Sequence, residues 1–334
     1  MTGLARQETG VGVDRALPGS GVTVVRPAGD GDAGSVRTGG SERSWHDGVV
    51  TDASTSTPPE DAPVEDLLHR VENGVAWITL NRPEAANAIT PSQRNRLIEL
   101  LADASASLHV RAVVLTASGT KGFCTGADLR AAQPGPKEAP PEGAPDRAAG
   151  DVARMIAGGA QRLIAAIMDC EKPVIAAVNG TAAGIGAHMA LAADLVIAAE
   201  GVRFIEVFVR RGIAPDGGGA YLLPRIVGLH KAKELIFFGD DLDAADAERL
   251  GIVNKVVPGD ELEAATREWA ERLAGGPTKA IGLSKWLLNR SLDVDRTTHF
   301  GDEALVQDLI MTTFDANEGV NSFKERRPTE FKGW

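Results

Sequence analysis

One tyrosine and two cysteines stand in 334 residues. The two thiols, Cys124 and Cys170, cannot build a disulfide framework, and their spacing suits no metal site. Cations are short as well: 35 Lys and Arg face 46 Asp and Glu, a formal net charge of −11. That balance argues against a general nucleic-acid binder, because a phosphate backbone favours basic surfaces. No charge-free run of about eighteen apolar residues occurs, so no transmembrane helix is expected. The opening MTGLARQETGVG has neither the basic n-region nor the apolar h-region of a signal peptide. Glu8 and Asp14 speak against a transit peptide. The expectation is a cytoplasmic protein with free thiols, with no metal and with neither nucleic acid nor membrane as partner.

What is present is apolar residue content of 43%, enough for one large core or two modest ones. It is unevenly spread. Residues 1–63 are rich in Gly, Ser, Thr, Asp and Pro without apolar periodicity. Such a segment buries too little surface to offset its ordering entropy, and it reads as a disordered extension. Residues 64–258 read as an α/β core, and residues 259–334 as a helical C-terminal region.

The core opens on a hairpin. Runs at 67–71 and 75–80 flank Glu72-Asn73-Gly74, and Asn-Gly favours a tight reversal. Thr90-Pro91-Ser92-Gln93 then starts a helix: Thr90 caps, Pro91 suits the first position, and Gln93 completes a capping box. Leu97, Ile98, Leu101 and Ala104 continue its apolar face. RAVVLT at 111–116 is a buried strand, and 131–150 is a long loop with Pro134, Pro136, Pro140, Pro141 and Pro145. A loop of that length suggests a functional segment. A second helix follows with Ile156, Leu163, Ile164 and Ile167 inward. Then come the strand VIAAV, a small-residue helix over 183–193 and the strand LVIA from Leu195. Strand, helix and strand in alternation imply right-handed crossover units. Beyond Gly217 the chain reads as mostly helical.

Two glycine-punctuated segments, 121–128 (KGFCTGAD) and 179–188 (NGTAAGIGAH), each follow a buried strand. Glycine permits positive φ and close backbone approach to a ligand, and helix starts leave N–H groups free. Both turns can converge on one oxygen, although tight strand-to-helix packing explains glycine there equally well.

Together with Leu80-Asn81-Arg82-Pro83 and Gly212-Ile213-Ala214-Pro215-Asp216-Gly217-Gly218, these motifs occur in one order. Over residues 66–334 the chain resembles the enoyl-CoA hydratase/isomerase (crotonase) superfamily. The resemblance implies a spiral of ββα units, with a C-terminal helical region that makes homotrimers or dimers of trimers. It implies an acyl-CoA thioester substrate and no separate cofactor, coenzyme A entering as part of the substrate. It places the oxyanion donors on the backbone N–H of Cys124 and Ile185. Substrate contacts fall on Thr125, Gly126, Ala127, Gly184 and Phe208. Cationic contacts to CoA fall on Arg82, Arg130 and Lys285, while Asp128 either orders its loop or lines the substrate.

The hydratases of that family place two glutamates over the reacting carbons. Here those positions hold His188 and Phe208, and a phenylalanine neither accepts a proton nor holds a water. Asp216 remains, where isomerase-like members carry a proton-shuttling aspartate; the bland alternative is a helix N-cap. His188 is either a satisfied core residue or an acid–base group. Glu206 is expected to be solvated, or else a third catalytic candidate. Three functions stay open: an enoyl-CoA isomerase using Asp216, a hydratase or C–C hydrolase using His188 and Glu206, and a non-catalytic acyl-CoA binding protein.

Overall fold

The computed structural model describes residues 66–131, 141–145 and 148–334. The extension over 1–63 and much of the proline-rich 131–150 segment lie outside the described residues.

Strands β1 (Leu67–Glu72) and β2 (Val75–Leu80) pair antiparallel with Glu72 opposite Val75. Asn73 and Gly74 both take positive φ, 50° and 77°, the geometry that a two-residue hairpin turn requires. Helix α1 (Pro91–Ala106) begins at the capping box: Gln93 N–H donates to the Thr90 hydroxyl, and the Gln93 side chain accepts from Thr90 N–H. Leu97, Ile98, Leu101 and Ala104 are buried, as the periodicity requires.

From there the chain winds as a repeating strand–strand–helix unit. The first turn is β3 (Ala112–Ala117), β4 (Gly122–Cys124), α2 (Asp151–Ile156) and α3 (Arg162–Met168). The second is β5 (Val174–Val178), β6 (Thr181–Ala183) and α4 (Ile185–Ala192). The third is β7 (Leu195–Ala199), β8 (Arg203–Ile205), α5 (Gly219–Val227) and α6 (Leu229–Phe238). Then follow β9 (Asp241–Asp243), α7 (Ala244–Arg249) and β10 (Lys255–Val257). Helices α8 (Leu262–Ala274), α9 (Thr278–Arg290), α10 (Arg296–Ile310) and α11 (Phe314–Glu325) complete the chain.

Each turn contributes its long strand to one sheet, ordered β1-β2-β3-β5-β7-β10, and its short strand to a second, ordered β4-β6-β8-β9. This is the crotonase spiral of an α/β fold. All pairings in the first sheet beyond the hairpin are parallel. Strands β3, β5 and β7 are near-continuous apolar runs, buried along almost their whole length. Helix α8 lies across β2, β3, β5 and β7, whereas α10 packs on α9. Leu288, Phe300, Leu305, Leu309 and Phe323 on these last helices are exposed, as is Leu292 between α9 and α10. No helix among the described residues is long and apolar enough to cross a membrane.

Two local expectations need correction. The small-residue segment is not all helix: 181–183 pairs with β4 and β8, and the helix starts only at Ile185. The second helix is broken by a π turn, Ala157–Gln161, and Ile156 is only half-buried. Beyond Gly217 the chain is mostly helical, as expected, with two short strands, β9 and β10, that join the sheets.

Candidate active site

The two glycine segments meet. Asn179 Nδ2 donates to the carbonyls of Ala117 and Gly119, 2.7 and 2.6 Å, tying the start of one segment to the loop that leads into the other. A Cβ on Gly180 would fall 2.6 Å from the nitrogen of Gly122, and one on Gly186 would fall 1.9 Å from the carbonyl oxygen of Cys124. Glycine at 186 therefore lets the first turn of α4 rest on the end of β4. Segment 121–128 is also stitched to the chain before α1. Ile89 N–H donates to Gly126 O and Asp128 N–H to Ile89 O, both 2.9 Å. Buried Asn87 donates from Nδ2 to the Gly122 carbonyl at 2.7 Å.

The backbone at the junction is shaped for presenting amides. The β4–β6 register shifts between Gly122 and Cys124, a bulge that takes Cys124 out of the regular ladder. Gly184 has φ 54° and ψ −124°, open to glycine, and no side chain caps the helix that follows. Ile185 is the first helical residue, so its N–H has no acceptor within α4 and sits at the positive end of the helix dipole. Burial pushes the Cys124 thiol up to about 11.

The wall around this junction is apolar, with one polar pair in it. His188, one turn into α4, is 0% exposed, and Glu206 is 6% exposed. His188 Nε2 lies 3.1 Å from Glu206 Oε2 in a buried hydrogen bond. The Phe208 ring stacks on the imidazole, centroids 5.1 Å apart and planes 14° apart. His188 Nδ1 is buried without a hydrogen-bond partner. Glu206 is thus not the solvated side chain expected of it, because the strand end at Ile205 turns it inward toward α4.

Asp216 is not a helix cap. The N-cap of α5 is Gly218, φ 86°, with no side-chain cap bond. The Asp216 carboxylate is half-buried and has no hydrogen-bond or ion-pair partner among the described residues. The next residue, Gly217, has φ 54°; a Cβ there would lie 3.5 Å from both His188 Nδ1 and Ile185 Cδ1 and 3.3 Å from Ala160. Asp216 is therefore chained to the residue that borders Ile185 and the imidazole.

Ala160 belongs to the π turn, and Ile164 packs near Gly218. This wall was missed from sequence, although the Gly158-Gly159 doublet inside an apolar helical pattern was its signal. Such π turns recur at functional sites.

The cations distribute unevenly. Arg130 has a 78% exposed side chain. Arg82 is mostly buried, donating to Asp128 Oδ2 and to the Ala88 carbonyl, each at 3.0 Å. The Arg130 amide and the Arg82 guanidinium hold the Asp128 carboxyl below its usual range. Asp128 therefore orders its loop. Thr125 is likewise engaged, donating to the Ala86 carbonyl at 3.1 Å.

Lys285 departs from its expected role as a free phosphate ligand. It is 7% exposed. Its Nζ sits 2.8 Å from Asp194 Oδ2 and donates to the Ile167 carbonyl at 3.0 Å. The pair borders a cavity of about 790 Å³ between α5 and α9, which does not include the junction of the two glycine segments. No cluster of three or more potential metal ligands occurs among the described residues.

A family profile described as enoyl-CoA hydratase/isomerase matches residues 70–334. The chain is 34% identical over 270 residues to the 1,2-epoxyphenylacetyl-CoA isomerase of Escherichia coli (strain K12), covering 81% of this chain and 99% of that one. It is 34% identical over 269 residues to the short-chain-enoyl-CoA hydratase of Clostridium acetobutylicum, covering 80% and 97%. Among solved structures it is similar to an enoyl-CoA hydratase/isomerase from Cupriavidus metallidurans CH34. That match has a TM-score of 0.71 and 33% identity, over 81% of this chain and 97% of that one.

Proposed function

The chain belongs to the enoyl-CoA hydratase/isomerase family, and on that footing we propose that it isomerises an acyl-CoA thioester, with Asp216 as the proton carrier. The amides of Cys124 and Ile185 receive the thioester oxygen. Fixed dipoles there stabilise the negative charge that builds up when a proton leaves the α- or γ-carbon, and each donor is worth about 2.7–4 kcal/mol in the transition state. Asp216 takes that proton, the charge passes to the oxygen as a (di)enolate, and the same carboxyl, after its proton exchanges with water, delivers a proton at the other end of the conjugated system. The double bond moves, and nothing is added or lost.

The observation that carries this reading is the contrast between the carboxylates. Asp216 is unpartnered and reachable, while the two positions used by hydratase glutamates hold a buried imidazole locked to Glu206 and a phenylalanine stacked on it. Activation of water by two carboxylates has no residues to perform it. The relatives named above include both an isomerase and a hydratase, so their names favour neither reaction.

Coenzyme A enters with the substrate. Its contacts are proposed for exposed Arg130 and the backbone of Thr125, Gly126 and Ala127 at the mouth. Self-association as trimers or dimers of trimers is part of the proposal, supported by the exposed apolar side chains on α9–α11. The test is turnover of a panel of enoyl-CoA esters in water labelled with deuterium and oxygen-18. Isomerisation predicts deuterium without oxygen-18 in the product. Oxygen-18 incorporation would instead support the hydratase or hydrolase reading, for which the unpartnered His188 Nδ1 is the favouring feature. Binding with neither label would support a non-catalytic protein.

A further inference from the structure

Two consecutive residues other than glycine hold left-handed backbone just before α1: Ala86 at φ 49° and Asn87 at φ 55°. That conformation is costly for a residue with a side chain, least so for asparagine, and it persists where surrounding contacts enforce it. Here the contacts lead to one place, the turn that joins β3 to β4 and runs on to Cys124.

Asn87 is 1% exposed. Its Oδ1 accepts from the Arg82 N–H at 2.8 Å. Its Nδ2 donates to the Ser118 and Gly122 carbonyls at 2.9 and 2.7 Å. One carboxamide thus bridges both ends of the turn over 118–122 and fixes its width. Ala86 adds a second hold. Its carbonyl accepts from the Thr125 hydroxyl at 3.1 Å, and a Cβ on Gly122 would fall 2.6 Å from the same oxygen. The left-handed pair therefore grips the chain on both sides of Cys124, at Gly122 and at Thr125.

That grip falls where the sheet gives least support. The β4–β6 register shifts between Gly122 and Cys124, and a bulge disrupts the ladder locally. At this break the Gly122 carbonyl accepts from a side chain. Peptide units are planar and rigid, so holding the chain at Gly122 and Thr125 restricts the direction of the Cys124 N–H between them. The task requires a carboxamide: it donates two protons and accepts in return, whereas a carboxylate only accepts. Both Asn87 N–H bonds are spent on backbone, so it reaches a ligand only through the segment it holds.

We propose that Asn87 is a positioning residue that aims the Cys124 amide at the thioester oxygen, acting through the Ser118 and Gly122 carbonyls. This rests on the reading of Cys124 and Ile185 as the oxyanion donors. The test is infrared difference spectroscopy of butyryl-CoA carrying ¹³C at the thioester carbonyl, a saturated ester that needs no turnover. On wild type the carbonyl band moves to lower frequency than in water, because fixed N–H groups polarise the bond. Asn87→Gly suits the left-handed backbone and deletes the three side-chain bonds. It is expected to lose most of that band shift while still binding butyryl-CoA. On an enoyl-CoA ester that wild type turns over, its kcat falls roughly 10–100-fold while the Kd for butyryl-CoA changes less than about threefold, the pattern of a misplaced catalytic group. Asn87→Ala deletes the same bonds but strains the backbone. Its urea midpoint falls below that of Asn87→Gly, and its band shift is lost equally. A role in stability alone would return the band shift along with the stability in Asn87→Gly, and that result overturns the proposal. So does an Asn87→Gly protein that fails to fold, which would make Asn87 a folding residue. A wild type that binds the ester with no band shift contradicts the oxyanion reading itself, and the proposal falls with it.

Discussion

The α-carbon of Gly186 rests against the carbonyl of Cys124, so closely that a side chain at 186 would begin 1.9 Å from that oxygen. The contact joins the end of β4 to the first turn of α4 and sets the spacing between the two proposed oxyanion donors. Gly186→Ala must push the strand and the helix apart. Overpacking of this kind costs about 1–3 kcal/mol or more. The expected result is a lower denaturant midpoint together with a fall in kcat at saturating substrate. An alanine variant with wild-type kcat would show that the junction tolerates displacement.

Cys124 lies at the centre of the junction and yet should be chemically silent. Burial raises its thiol to about 11, and Cys170 is buried as well. Mass spectrometry after treatment of the native protein with iodoacetamide at neutral pH should find neither thiol modified, and both modified after unfolding. Rapid native labelling of Cys124 would contradict its assignment as an amide donor only.

The buried pair Lys285–Asp194 is a stability element. Desolvation raises the Asp194 carboxyl, with Lys285 opposing the shift. Removing the cation in Lys285→Met leaves a buried carboxylate unpaired, a loss of about 3–5 kcal/mol at neutral pH. The sign with pH is fixed. Once pH falls below the raised value, Asp194 is neutral and the penalty shrinks. Urea unfolding at neutral and mildly acidic pH checks both points, and a loss that does not vary with pH would exclude Asp194 as its source.

Glu318 acts in the opposite direction. Arg327 donates to both of its oxygens, at 2.6 and 2.7 Å, and lowers its carboxyl from 4.5 to about 2. The depressed value makes its contribution fully present above 4.5 and lost as pH falls toward about 2. Glu318→Gln should therefore flatten the acid limb of the stability–pH curve across that window, and leave its shape at neutral pH unchanged. An unaltered acid limb would show that the pair is already broken in solution.

The sequence was legible where local chemistry decides the structure. Asn73-Gly74 forced a hairpin, Thr90 and Gln93 forced a helix start, and the apolar runs of β3, β5 and β7 could only be buried strands. Legibility failed where tertiary contacts decide. Three-residue strands such as β9 and β10 have no period to read, and β6 is too short to separate from the helix after it. The Asp216 carboxylate was visible as a residue but not as an unpaired one, since a cap and a free base have the same letters around them. The His188–Glu206 pair spans eighteen residues and two intervening strands, β7 and β8, and burial turned Glu206 inward. Lys285 looked like a surface cation because its partner, Asp194, lies far earlier in the chain.

The central claim is that Asp216 moves a proton on a thioester whose oxygen is held by Cys124 and Ile185. The most direct measurement is the rate of deuterium exchange from heavy water into a bound enoyl-CoA, comparing wild type with Asp216→Asn. The substitution keeps the shape and removes the base, so exchange should fall by about 10²–10⁴-fold while the ester still binds. Exchange at the wild-type rate in Asp216→Asn would contradict the account.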